Sequence, residues 1–166
     1  MVLTVCERAR DAHTRRVFGS LLPASAVSER GPVGGMVMEH PNEKRIRNAM
    51  ESAGRGDMEP MRAICDPKMV WHIAGRGPFS GDLNGYDAVM AWAGQLFERS
   101  GGTWKEDVLE VAATDDAAFM RTTYRATRAG RSIEDYSVNV FRLRGGRIVE
   151  CWVYFGKQYE FDDFWS

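Results

Sequence analysis

The sequence is short of most features that would mark a nucleic-acid, membrane or metal-binding protein. Its 22 basic and 23 acidic side chains leave a formal charge of −1. There is thus no basic field to grip a phosphate backbone or an anionic lipid surface, and neither nucleic acid nor membrane is expected as a partner. No apolar run approaches the ~18 residues that a membrane span needs. The three cysteines, Cys6, Cys65 and Cys151, are an odd and widely spaced set without a CxxC pair. They argue against a disulfide framework or a zinc cluster and point to a reducing, cytoplasmic compartment. Neither GxGxxG nor GxxxxGK[ST] occurs, and no His/Asp/Glu spacing suggests a metal, so no cofactor and no metal are expected. Proline is missing from the last 88 residues, since all six prolines lie between Pro23 and Pro78.

What is present follows from that asymmetry. The proline-free half is rich in Val, Thr, Tyr and Phe, residues suited to a sheet, while the first half carries helices and turns. Residues 1–40 show no sustained period and contain linker-like Gly and Pro stretches. They read as an N-terminal extension, disordered or loosely docked, with no apolar segment of a secretory signal. The domain proper is expected over 41–166. Ile46, Ala49, Met50 and Ala53 share one helical face, with Asn42 as a candidate cap and Gly54 and Gly56 as terminators. Asp57 opens a short second helix that Asp66-Pro67 stops, and Met69–Ile73 reads as a strand. After a Gly/Pro loop, Val89, Trp92, Ala93, Leu96 and Phe97 predict a third helix, ended by Gly101-Gly102. Strands are predicted over about 104–113, 117–128, 132–144 and 147–155, joined by tight turns such as Gly145-Gly146. Helices followed by an antiparallel meander make an α+β domain. A sheet curled over helices leaves a concave pocket, the default binding site.

Four pieces of the chain carry a resemblance. They are Gly56-Asp57, the segment Val70-Trp71-His72-Ile73-Ala74-Gly75-Arg76-Gly77-Pro78-Phe79-Ser80-Gly81, the run Val138-Asn139-Val140-Phe141-Arg142 before a Gly-Gly turn, and Val153-Tyr154-Phe155-Gly156. In this order and spacing, over about residues 42–160, the chain resembles the nuclear transport factor 2-like superfamily. That superfamily includes ketosteroid isomerases, SnoaL-like polyketide cyclases and limonene epoxide hydrolases. The resemblance implies a cone-shaped α+β fold, with three N-terminal helices packed on a curved, mostly antiparallel sheet. It places His72 where the isomerases hold a carboxylate base. Asn139 falls where they hold a protonated aspartic acid, and Ala49 where they hold the oxyanion tyrosine. All three identities differ, so the chain looks closer to the SnoaL-like proteins.

The expected function is accordingly a SnoaL-like pocket protein, an isomerase or cyclase that moves protons on an apolar ring compound carrying a carbonyl. A non-catalytic module that binds a small hydrophobic ligand or dimerises is the alternative. His72 would be the base, because histidine titrates near ~6.5, and Asn139 the donor to a developing oxyanion. Asp135 shares the alternating face of Asn139 and completes the candidate catalytic set. The alternative for Asn139 and Asp135 is a polar outward face, with Tyr136, Val138 and Val140 in the core. Trp71, Trp92, Met120, Tyr124, Phe141 and Phe155 are candidate substrate-lining residues, although core packing explains aromatics and methionines equally well. Arg121 with Asp135 offers part of an epoxide-hydrolase-like water site as a minor alternative. Large aromatics on both faces of the last strand predict a homodimer through the sheet. The tail from Tyr159 to Ser166 could fold back as a lid, pack on a dimer partner or fray.

Overall fold

The structure is a computed structural model, and it describes residues 38–166, which form one compact unit. The proposed extension over 1–40, including Cys6, lies outside the described residues but for its last three. Helix α1 (Pro41–Gly54) is followed by α2 (Glu59–Ile64), β1 (Cys65–Ile73), β2 (Gly81–Asn84), α3 (Tyr86–Arg99), β3 (Lys105–Ala113), β4 (Ala117–Arg128), β5 (Arg131–Arg144), β6 (Arg147–Phe155) and α4 (Gln158–Trp165). The strands form one six-stranded sheet in the order β2-β1-β6-β5-β4-β3, antiparallel except where β1 runs parallel to β6. The fold is α+β with four helices rather than three, because the C-terminal tail is itself a helix.

Local chemistry accounts for most of these boundaries. Pro41 opens α1 in the first turn, where its missing N–H costs nothing. The cap, however, is His40, whose Nδ1 accepts from Asn42 N at 3.2 Å. Asn42 instead donates its side-chain amide to Thr114 O at 2.9 Å, tying the helix to the β3–β4 turn. Gly56, at φ 87°, turns the chain out of α1 in a region that side-chain-bearing residues avoid. Strand β1 starts at Cys65, earlier than expected. Pro67 fits because the β1–β6 pairing shifts register between Cys65 and Val70, and β2 pairs only from Val70 to Ile73. Helix α3 buries Tyr86, Val89 and Leu96, whereas Phe97 lies outside and rests over Gly102.

The pleat sorts the sheet into two faces. One paired row runs Val111, Met120, Asn139, Val153 and Ile73, and these five are buried on the concave side. The adjacent row runs Ala112, Phe119, Val140, Trp152 and His72 on the outer side. The outer face also carries Tyr136 and Tyr154, about half exposed at 46% and 51%.

Helix α4 caps the concave side. It buries Phe161, Phe164 and Trp165. Phe161 stacks on Phe155 with ring centroids 3.7 Å apart and planes 12° apart, and Trp165 meets the ring of Phe79 edge-on. Its carbonyl end is held by Arg128, whose Nη1 donates to Phe164 O at 2.8 Å, as suits a cation at the negative end of a helix. Asp162 accepts from Arg76 N at 2.8 Å and binds the helix to the loop after β1. Its side chain and backbone also fill the space a Cβ on Gly77 would need. The tail is therefore an integral wall of the fold. We expect Phe161→Ala, which empties a site only 1% exposed, to lower the unfolding free energy by about 3–5 kcal/mol in urea titrations.

Candidate functional site

The concave wall is mostly apolar, and its polar groups are concentrated on three strands. On β5, Asn139 and Ser137 are 4% and 2% exposed, and on β4 Thr122 is fully buried. They bond across the ladder. Asn139 Nδ2 donates to Ser137 Oγ at 3.3 Å, and Ser137 Oγ meets Thr122 Oγ1 at 2.7 Å. Thr122 Oγ1 in turn donates to Glu106 Oε1 on β3 at 2.7 Å. Glu106 shares this face because it pairs with Tyr124. It remains accessible, yet desolvation by surrounding protein is the main cause raising its carboxyl above the ordinary carboxylate range, only partly opposed by the Thr122 bond.

Aromatic groups complete the wall. Trp71, Met120, Tyr124, Phe141 and Phe155 all point to this side, and Trp71 meets Phe141 edge-on at 6.1 Å. Trp92 approaches from α3 and donates its Nε1 to Phe79 O at 3.0 Å. Trp104 stacks on Tyr124 with centroids 5.1 Å apart. The expected lining residues thus come together. Three of the buried donors in this region, Trp71 Nε1, Tyr124 Oη and Trp165 Nε1, have no hydrogen-bond partner of good geometry among the described residues. Burial, then the charge of Asp135 and a loose contact with its carboxylate, pushes the Tyr124 hydroxyl well above its usual value and keeps it a neutral donor. Orphaned donors in an apolar setting cost free energy unless a guest or water takes them.

The expected catalytic set does not assemble. His72 lies on the outer face, opposite Asn139, because Trp71 and Ile73 take the concave positions on β1 and alternation turns the residue between them outward. There it is gripped by Asp82 Oδ1 on β2 at 2.8 Å and Glu150 Oε1 on β6 at 3.1 Å, and it stacks on Trp152. Glu150 is also paired with Arg142. Asp135 is on the concave face, but its carboxylate accepts the backbone N–H of Lys157 at the start of α4, so it anchors the helix and does not reach His72. Arg121 faces outward, paired with Glu110 at 2.9 Å. The sheet therefore separates Arg121 from Asp135, and the epoxide-hydrolase arrangement is absent. Ala49 is fully buried on α1 and supplies no hydroxyl.

Sequence reasoning missed Glu106, Thr122 and Ser137 as site residues. Ser137 was legible from its alternation with Asn139, and Thr122 as its cross-strand neighbour. Glu106 was not, because β3 carries a register shift between Val108 and Glu110 that breaks simple alternation. Among the described residues, no group of three or more His, Cys, Asp or Glu could hold a metal ion. Cys65 and Cys151 are buried free thiols, and burial pushes Cys65 up to about 12, so both pack as small apolar groups. Two surface clefts, of about 290 and 650 Å³, flank Ser132, Ile133 and Glu134 and exclude the concave polar line.

A family model, the SnoaL-like domain, matches residues 46–151, which runs from α1 into β6. The chain belongs to the SnoaL-like domain family. Relatives of this SnoaL-like chain include an uncharacterised protein of Mycobacterium tuberculosis strain H37Rv, 25% identical over 124 residues, which cover 73% of this chain and 93% of that protein. Among solved structures it is similar to Bal32a from a soil-derived mobile gene cassette, with TM-score 0.70 and 28% identity over 75% of this chain and 96% of the other. It is also similar in fold to TerC, co-crystallised with polyporic acid, with TM-score 0.64 and 16% identity over 75% and 98% of the two chains. A protein from Burkholderia pseudomallei with a TM-score of 0.62 and 21% identity over 75% and 97% carries the nuclear transport factor 2-like name. The superfamily resemblance read from the four sequence pieces therefore holds.

The His72 geometry gives a pH dependence. Hydrogen bonds that the ring donates to Asp82 and then to Glu150 raise its pKa above the ordinary 6.5. A raised folded pKa means that the protonated form favours the fold. The stabilisation is complete below 6.5 and is lost as pH rises through the elevated folded value. We expect His72→Asn to flatten this decline in denaturation midpoints measured across that range, with little effect on ligand binding at the concave face.

Proposed function

We propose that this SnoaL-like protein binds an apolar ring compound carrying a carbonyl or hydroxyl oxygen against the concave face of its sheet. The observation that supports it is the pairing of buried, unpartnered donors, Trp71 Nε1 and Tyr124 Oη, with the buried amide of Asn139 on an otherwise aromatic wall. Such a wall stacks on a flat ring, and its donors meet one or two oxygens. Proton transfer on the bound ring, as in an isomerase or cyclase, is the finer reading. TerC, which shares this fold, was co-crystallised with polyporic acid. This supports the reading at the level of fold alone.

The location of His72 favours a second reading. The side chain with the ordinary pKa best suited to a base at neutral pH faces away from the pocket. A non-catalytic binding module therefore competes with the enzyme. In either case we propose a homodimer through the outer face, where Phe119, Tyr136 and Tyr154 are exposed beside Val138, Val140 and Trp152. A cytoplasmic setting fits the reduced thiols of Cys65 and Cys151.

The test uses α-tetralone, a flat aromatic ketone with exchangeable α-hydrogens. Binding is followed by tryptophan fluorescence and exchange by NMR in deuterated buffer. We expect saturable binding that Asn139→Leu weakens by about tenfold, the scale of one good hydrogen bond. Exchange faster than in buffer supports the enzyme, and binding without it supports the module. No binding of the ketone would sink the pocket reading.

A further inference from the structure

The concave polar line has a direction. The amide of Asn139 can only donate to Ser137 Oγ, and the hydroxyl of Thr122 donates to Glu106 Oε1. The bond between Ser137 and Thr122 is then fixed as well. Thr122 has spent its one proton on Glu106, so Ser137 must be its donor. Protons are thus donated in sequence from Asn139 through Ser137 and Thr122 to Glu106, across β5, β4 and β3. The first three side chains are buried, and each bonds to the next in this line. Glu106, at its end, is accessible, and its Oε2 has no hydrogen-bond partner among the described residues. Its neighbour in the same paired row is Tyr124, whose Oη is buried and unpartnered. Trp104 stacks on that tyrosine ring and brings a further aromatic plane to this end of the wall.

Resting on the pocket reading above, we propose that Glu106 is the group that grips the ligand's carbonyl or hydroxyl oxygen, beside Tyr124, and that Thr122 positions it. The hydrogen bond from Thr122 fixes the rotamer of Glu106 through Oε1 and leaves Oε2 to meet the guest. The Glu106 carboxylate accepts from a phenolic hydroxyl, and the proton-bearing form, towards which desolvation pushes this group, donates to a carbonyl oxygen. The ligand class that fits is a neutral, flat ring bearing a carbonyl or phenolic oxygen. A carboxylate-bearing ligand would meet Asp135 and Glu160 near the Tyr124 hydroxyl and is disfavoured. Asn139 spends one amide N–H on Ser137 as the starting donor of this line, which leaves its second N–H for the guest.

The test compares α-tetralone with tetralin, the same ring system without the oxygen, by titration against the intact chain. Wild type is expected to prefer the ketone by about tenfold. Glu106→Met, close in length but unable to donate, should abolish that preference while leaving tetralin affinity unchanged. Glu106→Gln, which can still accept from Thr122 and donate to the ketone, should keep most of it. Thr122→Val should reduce the preference and Thr122→Ser should restore it, an outcome that a general packing defect would not produce. Asp107→Asn, on the outer face of the same strand and paired with Arg125, serves as the control with unchanged binding. A ketone preference that survives Glu106→Met overturns the assignment of Glu106 and leaves the pocket reading standing. If wild type binds neither compound, both fall.

Discussion

The two-residue period of the pleat governs everything functional in this protein. Strand β6 pairs with β1 on one side and β5 on the other, and once those registers are set the direction of every side chain on three strands follows. The register is held by burial. Moving β5 by one residue would drive Tyr136, Val138 and Arg142 inward and expose Ser137, Asn139 and Phe141. The same constraint puts Trp71 and Ile73 inside and His72 outside. A single parity choice therefore decides both what lines the concave face and what does not.

Around that sheet the molecule separates two kinds of polar chemistry. Outside, charged groups form pairs in contact with water: His72 with Asp82 and Glu150, Arg121 with Glu110, Arg125 with Asp107. Exposed pairs of this kind contribute little to stability, but they tune the titration of His72. Inside, neutral hydroxyls and an amide form one hydrogen-bonded line ending on Glu106. A buried polar network is tolerable only when its members find partners, and here Asn139, Ser137 and Thr122 each bond to a neighbour. The unsatisfied donors lie beside it on Trp71, Tyr124 and Trp165.

The C-terminal helix closes the concave side through its aromatic side chains. Phe161 and Trp165 belong to one aromatic cluster with Phe155, Tyr124 and Trp104. The wall that packs α4 is thus continuous with the wall that would stack on a ring. Asp135, expected to share in catalysis, instead fixes the start of this helix through Lys157 N. The residue is on the predicted face and does different work, because the backbone N–H groups of a helix start are free to take a carboxylate.

The sequence by itself determined the α+β class, the family, the three leading helices and the four meander strands. Those features rest on local signals: apolar periods of 3.6 and 2, proline and glycine breaks, and Gly-Gly turns. It also placed Asn139, Met120, Tyr124, Phe141 and Phe155 on one surface, since alternation along a strand is a local property. The tertiary structure alone decided which face of β1 is inside, whether Arg121 and Asp135 meet, and that α4 exists as a wall. Only it brought Glu106 beside Thr122, 16 residues further along. Such pairings join strands through a bulge and a register that no local pattern encodes, and the site is made of them.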